Sequence, residues 1–211
     1  MSEKRLQSLS EEIANSITHG LGVVGALIAT PFLIMAGIER GTAAVIGACV
    51  FSLSLILMYL SSTIYHAVTH HETKQLLRVV DHSAIFLLIA GTYTPFTLGV
   101  LKGAWGWTLF ALVWGIAVLG ISLKVSNGVG HPRLSTALYI GMGWLALIAV
   151  RPLWQRLPLH GWIWLAAGGL AYTGGVVFYN NHKLKYSHTV WHLCVLGGSV
   201  CHFFAVLWYA M

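Results

Sequence analysis

The sequence predicts an all-α polytopic membrane protein, a seven-transmembrane helix bundle, and three observations carry that reading. Hydrophobic residues make up 57% of the chain and charged residues only 9%, where a soluble domain carries about a quarter charged residues. Apolar runs of the length needed to cross a bilayer, about 20 residues each, occupy most of the 211 positions. The connections between those runs are short and hold most of the charge.

Residues 1–16 read as an N-terminal segment ahead of a transmembrane domain over 17–211. The segment is polar, contains Glu3, Glu11 and Glu12, and lacks the apolar core and small-residue cleavage site of a signal peptide. Ser8 followed by Glu11 fits a capping box. Leu6, Leu9 and Ile13 recur at helical spacing. Both a short helix on the membrane surface and a frayed polar tail fit these residues.

The spans read as 17–38, 43–65, 81–101, 105–123, 134–150, 161–179 and 188–211. The fifth is the shortest and can extend toward Pro132. Pro95 is expected to kink or end the third span. Gly168, Gly169, Gly174 and Gly175 are expected to let the sixth span pack closely, because association in lipid depends on close backbone approach. Cys49, Cys194 and Cys201 are odd in number and lie in apolar runs. They imply no disulfide framework and read as buried thiols.

Orientation follows from lysine and arginine in alternate connections. Lys4, Arg5, Lys74, Arg78, Lys124, Arg133, Lys183 and Lys185 fall on one side, and Arg40, Lys102, Arg151 and Arg156 on the other. Positive charge accumulates on the cytoplasmic side, so the N-terminus is expected in the cytoplasm and the C-terminus outside. An odd number of spans is then required. The net charge of +6 reflects this loop bias and gives no reason to expect nucleic acid as a partner.

Ionisable groups inside a bilayer are costly and mark function. Asp81 is the sole aspartate and is expected to open the third span. There the helix dipole alone would favour a carboxylate. Ser62 and His66 end the second span four residues apart, on one helical face. His188 and His192 open the seventh with the same spacing, which can place two imidazoles on one metal. With the spans oriented as above, His66, Asp81, His188 and His192 all come to one depth on the cytoplasmic side. Three neutral imidazoles and a water suit tetrahedral zinc with an open position, and Asp81 can hold that water without binding the ion.

Other polar residues rank lower. Glu12, Asn15 and His19 share helical spacing near the same end, as outer partners of a metal site or as a surface cap. His202 lies ten residues beyond His192, about 15 Å along a helix, and is expected to form a buried hydrogen bond. His82 points about 100° away from Asp81 around the helix. His70, His71, His131, His160 and His182 read as solvated.

The motifs EEIANSITHG, SSTIYHAV, VDHSAIFLLIAGTYTPF, MGWLALI and HTVWHLCVLGGSVCHFFAV together resemble the bacterial hemolysin III proteins of the progestin and adipoQ receptor superfamily. The resemblance runs almost end to end. It implies seven spans, a cytoplasmic N-terminus, and zinc held by His66, His188 and His192, with Asp81 holding the water on the ion. Ser62 matches the motif serine before the second-span histidine. The wider grouping with ceramidases implies metal-dependent hydrolysis of membrane lipid amides, and bacterial members imply a link to membrane homeostasis. No counterpart of the long N-terminal domain of the animal receptors is expected, so hormone binding is not carried over.

Two functions follow. One is a zinc-dependent hydrolase in the cell inner membrane acting on a lipid within the bundle, with Asp81 as general acid–base and Ser62 stabilising the oxyanion. The other is a non-enzymatic sensor of membrane state in which zinc ties spans two and seven together. A pore-forming toxin fits less well, since nothing resembles a secretion signal.

Overall fold

The computed structural model describes residues 5, 7–130 and 132–210, and among these all regular structure is helical. Glu3, Lys4, Leu6, His131 and Met211, used in the sequence reading, lie outside the described residues. Among the described residues, seven stretches are long and apolar enough to cross a membrane. The first four are α1 (Leu9–Ile38), α2 (Thr42–Ala67), α3 (His71–Leu98) and α4 (Ala104–Asn127). The fifth is divided into α5 (Pro132–Gly143), a 3-10 turn (Leu145–Ala149) and α6 (Val150–Arg156). The sixth is α7 (Leu159–Asn180), and the seventh is α8 (Ser187–Ala205) with a π turn over Val206–Ala210. The first four helices pack in chain order, and α8 closes the bundle by lying against both α7 and α1. Leu21, Ile28, Phe32 and Met35 remain exposed along α1, as a lipid-facing surface requires.

Residues 9–16, in the segment ahead of the first span, are helical and continuous with it. Ser8 caps α1: the Glu11 N–H donates to Ser8 Oγ at 3.4 Å, and the Ser8 N–H donates to Glu11 Oε2 at 2.9 Å. From this capping box the helix runs unbroken through residue 17 to Ile38. Thirty residues make about 45 Å of helix, longer than the roughly 30 Å hydrocarbon core. Gly41, at φ 103°, starts α2 only three residues after α1 ends, a backbone region that glycine enters without a Cβ penalty.

The third span departs from expectation. Asp81 does not open it; α3 begins ten residues earlier, at His71. Hydropathy misses the polar turn HETKQLLRVV, but these residues form helix well. Lys74 also turns its ammonium back onto the end of α2, donating to Tyr65 O and Val68 O at 3.1 Å each. Asp81 therefore owes nothing to a helix N-terminus. At the other end, Pro95 lies in the last turn, and α3 stops at Leu98.

The fifth span starts at Pro132 and reaches Arg156, beyond the expected end at 150, with a break near Trp144. A broken helix inside a bilayer must have its freed backbone groups satisfied by neighbours. Tyr93 of α3 does this. Its hydroxyl lies 2.9 Å from Met142 O and 2.8 Å from Gly143 O, and accepts from the Ala146 N–H at 2.9 Å. Close packing of the sixth span rests on two of the four glycines named above. A Cβ on Gly168 would meet the His202 ring, and one on Gly175 would meet Trp191 and Cys194. Gly169 and Gly174 have nothing within 4 Å of that position. The three cysteines are free, but Cys49 is exposed on α2, not buried as expected; its side chain falls on the outer face of its helix.

Candidate metal centre

Three helices bring these ionisable residues to one end of the bundle. The last turns of α2 deliver Ser62 and His66, the first turns of α8 deliver His188 and His192, and α3 delivers Asp81. One ring nitrogen from each of His66, His188 and His192 lies within 4.8 Å of the others. The ring centroids are 5.1 Å apart for His66–His188 and His66–His192, and 4.6 Å for His188–His192. His66 and His192 are buried, at 4% and 1% exposure, and His188 is partly so.

The hydrogen bonds leave these rings suited to a metal. His66 Nδ1 is 2.8 Å from Glu12 Oε2, whereas His66 Nε2 is buried with no hydrogen-bond partner. His192 Nδ1 lies 3.2 Å from both Asn15 O and Thr18 Oγ1. With its Nδ1 proton donated to that carbonyl, His192 keeps its lone pair on Nε2. A buried polar atom without a partner costs about 1–3 kcal/mol, so native structures rarely leave one without an ion or water. Ligand nitrogens around tetrahedral zinc sit about 3.3 Å apart, given bonds of about 2.05 Å. The three ring nitrogens, all within 4.8 Å of one another, are spaced on the same scale. Three imidazoles are therefore a donor set that can hold a metal ion.

Asp81 and Ser62 stand beside the triad. Asp81 is 9% and Ser62 2% exposed, and both line a cavity shared with His188 and His192. Asp81 Oδ2 is 3.2 Å from His82 Nδ1, so His82 serves as a neighbour of the carboxylate and stands outside the triad. The cavity continues between α3, α5, α7 and α8 past Leu88, Ile89, Tyr139, Ile140 and Val195 to His202. It holds about 1120 Å³ of empty space including its open mouth. Since His202 lies ten residues beyond His192 on α8, the cavity extends about 15 Å along that helix. His202 Nε2 pairs with Leu165 O at 3.3 Å, the buried hydrogen bond expected of it. His70, His71, His160 and His182 are exposed.

α1 contributes more than the sequence reading assigned it. Glu11, Asn15 and His19 are buried, and Glu12 reaches His66, so this face is no surface cap. Asn15 Oδ1 accepts from Thr189 Oγ1 at 2.6 Å. Glu11 Oε1 accepts the N–H of Tyr186 at 2.9 Å, the residue that enters α8 in the left-handed region at φ 59°. His19 stacks on His192 with centroids 3.5 Å apart and rings 6° from parallel. Neither His19 nitrogen has a hydrogen-bond partner. Sequence reasoning missed Lys74, counted only as a loop charge, although it lies 3.1 Å from Glu12 Oε2. Its position three residues into a helix abutting the end of α2 was the available signal.

Comparison with known proteins agrees with this architecture. The pattern of the family described as "Haemolysin-III related" matches residues 7–203. The chain is 46% identical over 206 residues to "Hemolysin-3" of Bacillus cereus, covering 97% of this chain and 94% of that protein. It is 46% identical over 205 residues to "Hemolysin-3 homolog" of Bacillus subtilis (strain 168), covering 97% and 96%. The human "Monocyte to macrophage differentiation factor" is 26% identical over 208 residues, with 93% of this chain and 83% of that protein covered.

Proposed function

The chain belongs to the haemolysin-III related family of multi-pass membrane proteins, and we propose that it is a zinc-dependent hydrolase of membrane lipid amides. The observation that supports this reading is that His188 and His192 of the three-histidine cluster line an elongated apolar cavity. Asp81 and Ser62 line the wall of the same cavity. His66, His188 and His192 hold the ion. Zinc supplies a water that ionises near neutral pH and a Lewis acid for the scissile carbonyl. Asp81 accepts the proton of the attacking water and passes it to the amine nitrogen as the C–N bond breaks, leaving a fatty acid and an amine. Ser62 donates a hydrogen bond to the carbonyl oxygen as it gains charge. The walls of α3, α5 and α7 take the acyl chain and keep bulk water away.

A sensor in which the ion merely ties α2 to α8 would need no cavity beside the histidines, so the cavity favours hydrolysis. The test incubates purified protein with ceramide and a wider panel of lipid amides and measures free fatty acid by mass spectrometry. Release that requires zinc and vanishes in Asp81→Asn is expected. Equal release from wild type and variant would mark a contaminant and defeat the reading.

The same proposal places the chain in the cell inner membrane, with its N-terminus in the cytoplasm and the histidine end facing that side. It is supported by the eight-to-four bias of lysine and arginine. A reporter active only outside the cytoplasm, fused after Met211, should be active. A silent but well-expressed fusion would reverse the orientation.

A further inference from the structure

We propose that Glu12 is the positioning residue of the metal centre: it holds His66 in one tautomer and aims its second nitrogen at the ion, with Lys74 holding Glu12. This inference rests on the metal reading above and goes beyond it, because α1 carries none of the three ligands.

A neutral imidazole has one N–H, and a carboxylate only accepts. With Glu12 Oε2 2.8 Å from His66 Nδ1, the ring proton is drawn to Nδ1 and the lone pair is left on Nε2. That is the nitrogen the structure buries without a partner. The His66 side chain is 1% exposed, and that of Glu12 is 20% exposed. The bond therefore reaches inward from a shallow hollow between α1 and α2 that Glu12, His66 and Lys74 line.

Glu12 is itself fixed. Lys74 donates to Tyr65 O and Val68 O and forms an ion pair with Glu12 Oε2, all at 3.1 Å. The two carbonyls belong to the end of α2, the helix that carries His66. Three helices thus close a loop of contacts, from α3 through Lys74 to Glu12 of α1 and on to His66 of α2. An exposed ion pair with no further role would contribute little, whereas this carboxylate is shared between a buried ring and an anchored ammonium. His192 is aimed in a parallel way, by the backbone carbonyl of Asn15 on the same face of α1. Of these two supports, only Glu12 can be removed by a side-chain substitution.

Carboxylate partners of metal-bound histidines contribute about 10–100-fold to metal affinity. The experiment measures zinc affinity of the purified full-length protein against a competing chelator, alongside the melting temperature of the metal-free protein. Glu12→Ala should lose affinity by about 10–100-fold, with little change in metal-free melting. Glu12→Gln, whose amide oxygen still accepts from Nδ1, should recover part of the loss. Lys74→Met should lose less than Glu12→Ala. Unchanged affinity in Glu12→Ala, with wild type binding zinc, would overturn this role and leave the metal reading standing. Affinity loss matched by an equal fall in metal-free melting, with no rescue by Gln, would also overturn it and make Glu12 a folding contact. Wild type that binds no zinc would remove both this role and the metal reading. Should Glu12→Ala fail to fold, unchanged affinity in both Glu12→Gln and Lys74→Met overturns the role, and a graded loss across the two supports it.

Discussion

Two polar places inside this bundle differ in what they leave unpaired. At the break in the fifth span, the freed backbone groups near Trp144 meet the Tyr93 hydroxyl, which lies within 2.9 Å of two carbonyls and one N–H. One side chain of the bundle serves all three of those groups. At the histidine end, Glu12, Asn15 and Thr18 engage one nitrogen each of His66 and His192. His66 Nε2 and both nitrogens of His19 stay buried and unpartnered. A closed set of hydrogen bonds holds a fold together; a set with buried nitrogens to spare is prepared for something that the chain itself does not supply.

That contrast orders the expected effects of substitution. The largest falls on chemistry. Asp81→Asn keeps size and much of the hydrogen bonding while removing the basic site, so turnover should drop by about 10²–10⁴-fold with zinc content unchanged. A variant that loses zinc in proportion to activity would instead make Asp81 a ligand, which can be read by metal analysis of the same sample. A smaller effect falls on folding. Tyr93→Phe removes the hydroxyl that serves Met142, Gly143 and Ala146 and should cost about 1–3 kcal/mol of stability. It should leave zinc affinity where it was. Chemical denaturation and chelator competition on the two variants would separate the regions, and zinc loss in Tyr93→Phe would blur the distinction.

Much of this was legible in the sequence. Apolar runs located seven spans, since their length is set by the bilayer. The four-residue spacing of His188 and His192, together with the alternating direction of the spans, brought His66 and Asp81 to the same end. Glu12, Asn15 and His19 were visible as one helical face, but spacing cannot say whether a face looks inward. What escaped was contact between helices. The start of α3 at His71 is hidden because polar residues such as Glu72, Lys74 and Gln75 form helix as well as apolar ones. The break near Trp144 is hidden because LALIAV reads as apolar in any backbone conformation, and its hydroxyl partner lies about fifty positions away, at Tyr93. Lys74 looked like a topogenic charge because its three partners come from two other helices and the turn after one of them.

The central claim is that His66, His188 and His192 together hold a metal ion, and α8 contains its own control. His192 and His202 are both on that helix, both line the cavity, and they stand about 15 Å apart along it. The most direct measurement is the zinc content per chain of purified wild type, His192→Ala and His202→Ala, prepared at equal zinc supply and matched folding. About one zinc per chain in wild type and in His202→Ala, with most of it lost in His192→Ala, is the predicted result. Full occupancy in His192→Ala, or no zinc in wild type, would contradict the account.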